Sequence, residues 1–270
     1  MNGHHSYLLV EGQQDVYFVG RILEELGLHS AQRPEQIPGK WSPFLDDVAR
    51  QRDHAERQAG RNGIPFWQMF KPACLLSQLH SVVVERVDGN RAKFGRTLRA
   101  TDALIDGGLA SLTGVGVVPD ADVDAAASLA SAQAALRSAG LAAPNSNQEV
   151  IAGNPNTGIF VLPGGVAQGG LEQVLIDCGE VVYPALIAGA RTFVGGVDTD
   201  SAAYSEEDMR EMNTPQGPIK AVVGSVSSVL KPGSTIQVSV LRDRWVSDAT
   251  LATPRVAAIV QFLKSLCGLP

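Results

Sequence analysis

Cysteine is scarce in this chain. Cys74, Cys178 and Cys267 are scattered along 270 residues. They form neither a disulfide framework nor a zinc-ligand spacing, and a cytoplasmic protein with reduced thiols is the expectation. Long apolar runs are missing as well. None approaches the roughly 20 residues a helix needs to span a bilayer. The opening MNGHHSYLLVEG has no basic region and no long apolar stretch of the signal-peptide kind. The chain also lacks a positive balance, with a net charge of −6, which argues against a globally basic nucleic-acid binder. No GxxxxGK[ST], dinucleotide fingerprint or nucleophile elbow occurs, so P-loop, Rossmann-cofactor and α/β-hydrolase chemistry have no motif here. His29, His54 and His80 show no ligand spacing.

What is present is ordinary globular composition, 44% hydrophobic and 19% charged, with an uneven distribution of charge. Residues 31–105 hold 12 Lys/Arg against 8 Asp/Glu. A phosphate-binding surface from Arg50 to Arg61 and Arg91 to Arg99 is one reading of that bias. A solvated helical face is the other.

Periodicity predicts alternating strands and helices. Leu8–Val10 reads as the end of a buried strand. Val16, Val19, Ile22, Leu23 and Leu26 then recur at helical spacing, with Gly27 as a stop. Residues 79–89 read as a second strand and AKFGRTLRATDALIDGG as a helix with Phe94, Leu98 and Leu104 inward. LTGVGVVPDADVD is a third strand, followed by an Ala-rich helix. TGIFVLPGG is a fourth strand, and GGLEQVLIDC starts another helix. A helix is expected at 180–192, a β segment at TIQVSVL and a closing helix at RVAAIVQFLKSL. Residues 31–75 are irregular and Pro-rich, and read as an inserted cap in which Phe66, Trp67 and Trp41 pack or stack on bases. The pattern predicts an α/β fold with a mainly parallel sheet.

Acids stand where these strands end. Glu11 follows the first strand and Asp15 opens the next segment. Asp120, Asp122 and Asp124 follow the third strand, and in an extended segment residues two apart point the same way. Open parallel sheets build their sites at carboxyl ends of strands, so neighbouring strands would bring four or five carboxylates together. Two like charges 4 Å apart repel by about 4 kcal/mol at an effective dielectric near 20. Protonation or a divalent cation relieves this, and an all-oxygen donor set suits Mg²⁺, Mn²⁺ or Ca²⁺. Asp124 has a second reading, as the cap of the Ala-rich helix.

EGQQD after one strand and DADVD after a later one, in that order, resemble the Toprim domain of topoisomerases, bacterial primases and OLD-type nucleases. GGLEQVLID resembles the glycine-x-leucine-glutamate stretch of stand-alone, OLD-like Toprim proteins. The resemblance covers roughly residues 6–178. It implies a Toprim-like (Rossmann-like) catalytic domain over 1–178, with 31–75 inserted, and a C-terminal extension over 179–270 packed on it. It implies a metal site of Glu11, Asp15, Asp120, Asp122 and Glu172 holding Mg²⁺ or Mn²⁺. Glu11 and Asp120 would be catalytic, with Lys220 in GPIKAVVGSV as a site lysine. Glu172 and Lys220 keep plain readings too, as a first-turn helix acid and a surface lysine. Arg242 and Arg244 are further phosphate-neutralising candidates. The implied activity is metal-dependent hydrolysis of DNA or RNA, with a separate ATPase partner and homo-oligomers among the expectations. A non-catalytic module binding nucleic acid or protein is the alternative, and a small-molecule phosphohydrolase a third. The chain departs from type II topoisomerases in lacking the glycine after DADVD and a PLRGK-like segment.

Overall fold

Leu8, Leu9 and Val10 are completely buried, and so is Tyr7. A strand covered on both faces must be central, and β1 (His4–Val10) is. It is flanked in parallel by β4 (His80–Arg86) and β5 (Gly114–Val118), and β5 pairs in parallel with β7 (Asn156–Ile159). Short antiparallel strands close the edges: β2 (His29–Ser30) and β3 (Ala73–Leu76) beyond β4, and β6 (Val150–Ile151) beyond β7. The seven-stranded order is β2-β3-β4-β1-β5-β7-β6. The computed structural model describes residues 3–41, 73–87, 92–201 and 203–270. The expected nucleic-acid contacts Arg50–Arg61 and Arg91 lie outside the described residues, as do His54, Phe66 and Trp67.

Helices cover both faces, and the fold is α/β with a mainly parallel, Rossmann-like sheet. Pleating sends Tyr7 and Leu9 to one side and Leu8 and Val10 to the other. On the first side lie α2 (Lys93–Leu104), through Phe94 and Leu98, and α3 (Ala125–Ser138), through Ala132 and Leu136. On the second lies α1 (Gln13–Glu25), whose Val16, Val19, Ile22 and Leu23 make the expected apolar stripe. It shares that side with the C-terminal helices. These are α4 (Leu171–Val182), α5 (Pro184–Gly195), α7 (Gly217–Leu230), α8 (Ile236–Arg242), α9 (Asp248–Leu251) and α10 (Pro254–Cys267), while the short α6 (Glu206–Met209), between α5 and α7 in the chain, buries no side chain. α10 lies directly on the sheet: a Cβ at Gly114 would fall 2.2 Å from the Leu266 carbonyl oxygen. Residues on either side of position 178 therefore share one apolar core.

Several expectations are corrected. The 31–75 segment is not all cap. Ala73–Leu76 is a sheet strand, and Trp41 is fully buried beside Tyr7, its indole N–H donating to the Ser81 hydroxyl at 2.8 Å. Leu104 is 61% exposed at the end of α2, where Thr101 takes the inward position. TIQVSVL is not a strand but forms most of α8, which packs on α1 and α7. Its β-branched residues favour a strand, and tertiary packing overrides that propensity. The helix at 180–192 is two helices, because Pro184 lacks the N–H to continue α4 and starts α5 instead.

Asp124 takes its plainer reading. Its Oδ1 accepts from the Ala126 and Ala127 N–H groups at 2.9 and 3.1 Å, capping α3. Asp124→Ala is expected to cost about 1 kcal/mol, measured by urea denaturation. An unchanged midpoint would mean the α3 terminus is satisfied another way.

Candidate acidic site

The chain leaves β1 toward β4 on one side, and leaves β5 toward β7 on the other. The crevice between the carboxyl ends of β1 and β5 is thus the switch point of the sheet, where open α/β folds place ligands. Glu11 follows β1 and Asp120 lies two residues past β5. A second line of contact fixes Asp120. The Ala121 N–H donates to the Leu162 carbonyl, and the Leu162 N–H to the Pro119 carbonyl, both at 2.8 Å. This holds the strand that runs on from β7 beside Asp120 and delivers Gly169 and Gly170 to the site.

Backbone hydrogen bonds position Asp15 and Asp122. Asp15, 4% exposed, accepts from the Gly12 N–H at 2.6 Å across the first turn of α1. Asp122 does not follow the extended geometry expected of DxD. Its φ is +49°, and it exchanges two 2.8 Å hydrogen bonds with Gly169. The turn brings Asp122 to the cluster by curving the chain, a conformation Asp tolerates better than most residues. Glu172 is buried in the first turn of α4. At Gly170 a Cβ would lie 2.9 Å from Asp120 Oδ2, so the start of α4 approaches that carboxylate as only glycine allows.

Electrostatics tie the five together. Burial raises the Asp15 carboxyl to about 7 against the pull of the Gly12 N–H, and Glu11, Glu172 and Asp122 push it the same way. Asp120 is raised well above the usual range by burial, then by Asp15, Glu11, Glu172 and Asp122. Asp120 as a residue keeps some exposure, but its Oδ1 is enclosed, which is why burial dominates. The expected set Glu11, Asp15, Asp120, Asp122 and Glu172 is thus brought to one place. Among the described residues, no three His, Cys, Asp or Glu side chains are already drawn in as a ready ligand set. The acids lie within reach of one another's charge without closing on a single point. All five offer oxygen, the donor type of hard divalent cations.

Other expected residues lie elsewhere. Lys220 is exposed on α7. Arg242 and Arg244 are exposed at and just after the end of α8. Arg86 was missed. It ends β4 directly opposite Val10, and its charge acts on Tyr17 of α1, which puts a guanidinium on the α1 side of the strand ends. Only the pairing of β4 with β1 reveals it. Burial pushes all three thiols up to about 12, so they pack as apolar groups. Among the described residues no helix is long and apolar enough to cross a membrane.

No curated protein matches this chain. A crystal structure of hypothetical protein PH0156 from Pyrococcus horikoshii OT3 is similar in fold, with a TM-score of 0.50 at 16% identity. The match covers 97% of this chain and 95% of that one. The family described as "Protein of unknown function (DUF3226)" matches residues 5–268, and with nearly its whole length inside that match the chain belongs to this family.

Proposed function

We propose that this protein is a Toprim-like, metal-dependent nuclease that hydrolyses phosphodiester bonds of DNA or RNA. One observation carries the reading. Five acids from three separate parts of the chain meet at the switch point of a parallel sheet, and two of them are buried against the pressure of the others. A fold spends stability on such repulsion where a cation is to be held.

The donor chemistry fits Mg²⁺ or Mn²⁺. Asp120, Asp122, Glu11, Asp15 and Glu172 would hold it, and a bound divalent ion supplies charge to a phosphoryl centre. The chain's own groups do the rest. Glu11, at the exit of β1 and outside the helices, exchanges a proton with the attacking water or the leaving oxygen. Arg86, on the α1 side of the strand ends, would meet the phosphate by charge. Arg96 and Arg99, exposed on α2, lie on the opposite side of the sheet from α1 and extend a basic surface for the backbone. An ATPase partner and self-assembly belong to the same proposal by analogy with OLD-type nucleases.

The test is to incubate the purified protein with plasmid, linear DNA and RNA in Mg²⁺, in Mn²⁺ and in chelator. Divalent-dependent cleavage of a polymer is expected. Turnover of free nucleotides alone would replace the nuclease with a small-molecule phosphohydrolase. The absence of a ready ligand set among the described residues favours a second reading, a non-catalytic module that binds nucleic acid or a protein. Binding that persists in chelator, with no cleavage under any divalent ion, would establish that one.

Gly170→Ala offers a separate check. Its Cβ would displace the Asp120 carboxylate, and divalent-ion affinity is expected to fall at least roughly tenfold, in the range seen when groups supporting metal ligands are disturbed. The reading is the rise in unfolding temperature with Mn²⁺ concentration. An unaltered titration would mean that Asp120 is not part of the site.

A further inference from the structure

We infer that the protein has a second binding site, for a nucleoside monophosphate, on the far side of α4 from the acidic crevice. A cleft of about 660 Å³ lies among α4, α5, α7 and α10, inside the size range of small-molecule sites. None of the five acids lines it. Helical geometry explains the separation: Glu172 faces the crevice, whereas Gln173, Ile176 and Asp177 share the adjoining stripe and face the cleft.

The lining divides by chemistry. Ile176, Val194 and Val222 are each under 10% exposed and form an apolar floor suited to the face of a flat ring. Gln173 and Asn213 add amides, which can donate to and accept from the edge of a base. Arg255 and Arg191 bring two guanidinium groups from different helices. Each is anchored by a carboxylate, Arg255 to Asp177 at 2.6 Å and Arg191 to Glu180 at 2.6 Å. Each guanidinium has five N–H donors, and one carboxylate leaves several for a phosphate. The less exposed of the two pairs, Arg255 with Asp177, restrains its guanidinium before a ligand arrives, which lowers the entropic cost of binding. A flat, edge-polar body with one anionic group is the chemistry of a mononucleotide. It can arrive free or as the phosphorylated end of a strand.

The choice of nucleotide over other anionic rings rests on the proposed nuclease reading, since phosphodiester hydrolysis releases such ends. Binding is best measured in Asp120→Asn protein without divalent ions, so that it does not depend on cleavage. Calorimetry with AMP, GMP, CMP and UMP, and with a 5′-phosphorylated dinucleotide, should give saturable binding to at least one. Arg255→Gln is expected to weaken it about tenfold or more. Met212→Trp, which adds bulk to the lining of the cleft, is expected to abolish it with an unchanged circular-dichroism spectrum. Saturation by mononucleotides identifies a free nucleotide as the ligand, and saturation by the dinucleotide alone identifies a strand end. No saturation by any probe at millimolar concentration, or binding indifferent to both substitutions, overturns the site. If the wild-type protein then still cleaves nucleic acid, only this inference fails. If the site binds and no polymer is cleaved, only the nuclease reading fails.

Discussion

Stability should fall as pH rises from about 4 to about 7, and Asp15→Asn should reduce that fall, the remainder coming from Asp120. The sign follows from proton binding. Folding raises the Asp15 carboxyl from 3.8 to about 7, so between those values the folded chain holds a proton that the unfolded chain has released. Each step upward in pH then favours unfolding. The cost is absent below the lower value and complete above the upper one. At 1.36 kcal/mol per unit, it is on the order of 4 kcal/mol, which for a chain of this size moves the melting temperature by roughly 10 °C. Asn keeps an oxygen to accept from the Gly12 N–H and loses only the charge. The measurement is urea denaturation of both proteins at pH 5 and pH 8. Parallel behaviour of the two across that range would show that the Asp15 carboxyl does not carry the fall. Mg²⁺ or Mn²⁺ should reverse the loss at pH 8 in the wild type, because a ligand that binds only the folded state stabilises it.

The second large effect concerns activity. Asp120→Asn is expected to lower divalent-dependent cleavage by about a hundredfold to a thousandfold, the scale of losing a group that organises charge at the reacting centre. Folding should survive, since the amide removes a buried acid raised by four others. Asp124→Asn, four residues away, should leave cleavage within about twofold, because its carboxylate caps α3. The pair discriminates between a chemical role and a general effect of altering DADVD. Cleavage that persists in Asp120→Asn would remove the proposed mechanism and point to a contaminating nuclease or a different centre.

The acids were readable in the sequence because they sit at ends of elements with strong local signals. Leu8–Val10 reads as a buried strand, which puts Glu11 at its exit. GVGVV ahead of DADVD has the same force. The helix that follows Glu11 is equally plain, with Val16, Val19, Ile22 and Leu23 inward as the spacing requires. Short elements escaped. β2 and β6 have two residues each, too few to show a period, and exist because β3 and β7 offer them open hydrogen-bonding edges. α8 was misread because seven residues rich in Val and Ile carry no intrinsic choice between strand and helix.

The sequence by itself determined which carboxylates leave which strands, since apolar runs and the residues that end them are local features. Only the tertiary structure decided that β1 and β5 are neighbours, that Asp122 turns back through a left-handed residue, and that Gly170 makes room for Asp120. It alone brought Arg86 opposite Val10 and placed an arginine-bearing cleft behind α4. Strand order and helix packing are set by burying surface contributed from distant parts of the chain, and no single stretch of residues contains that information.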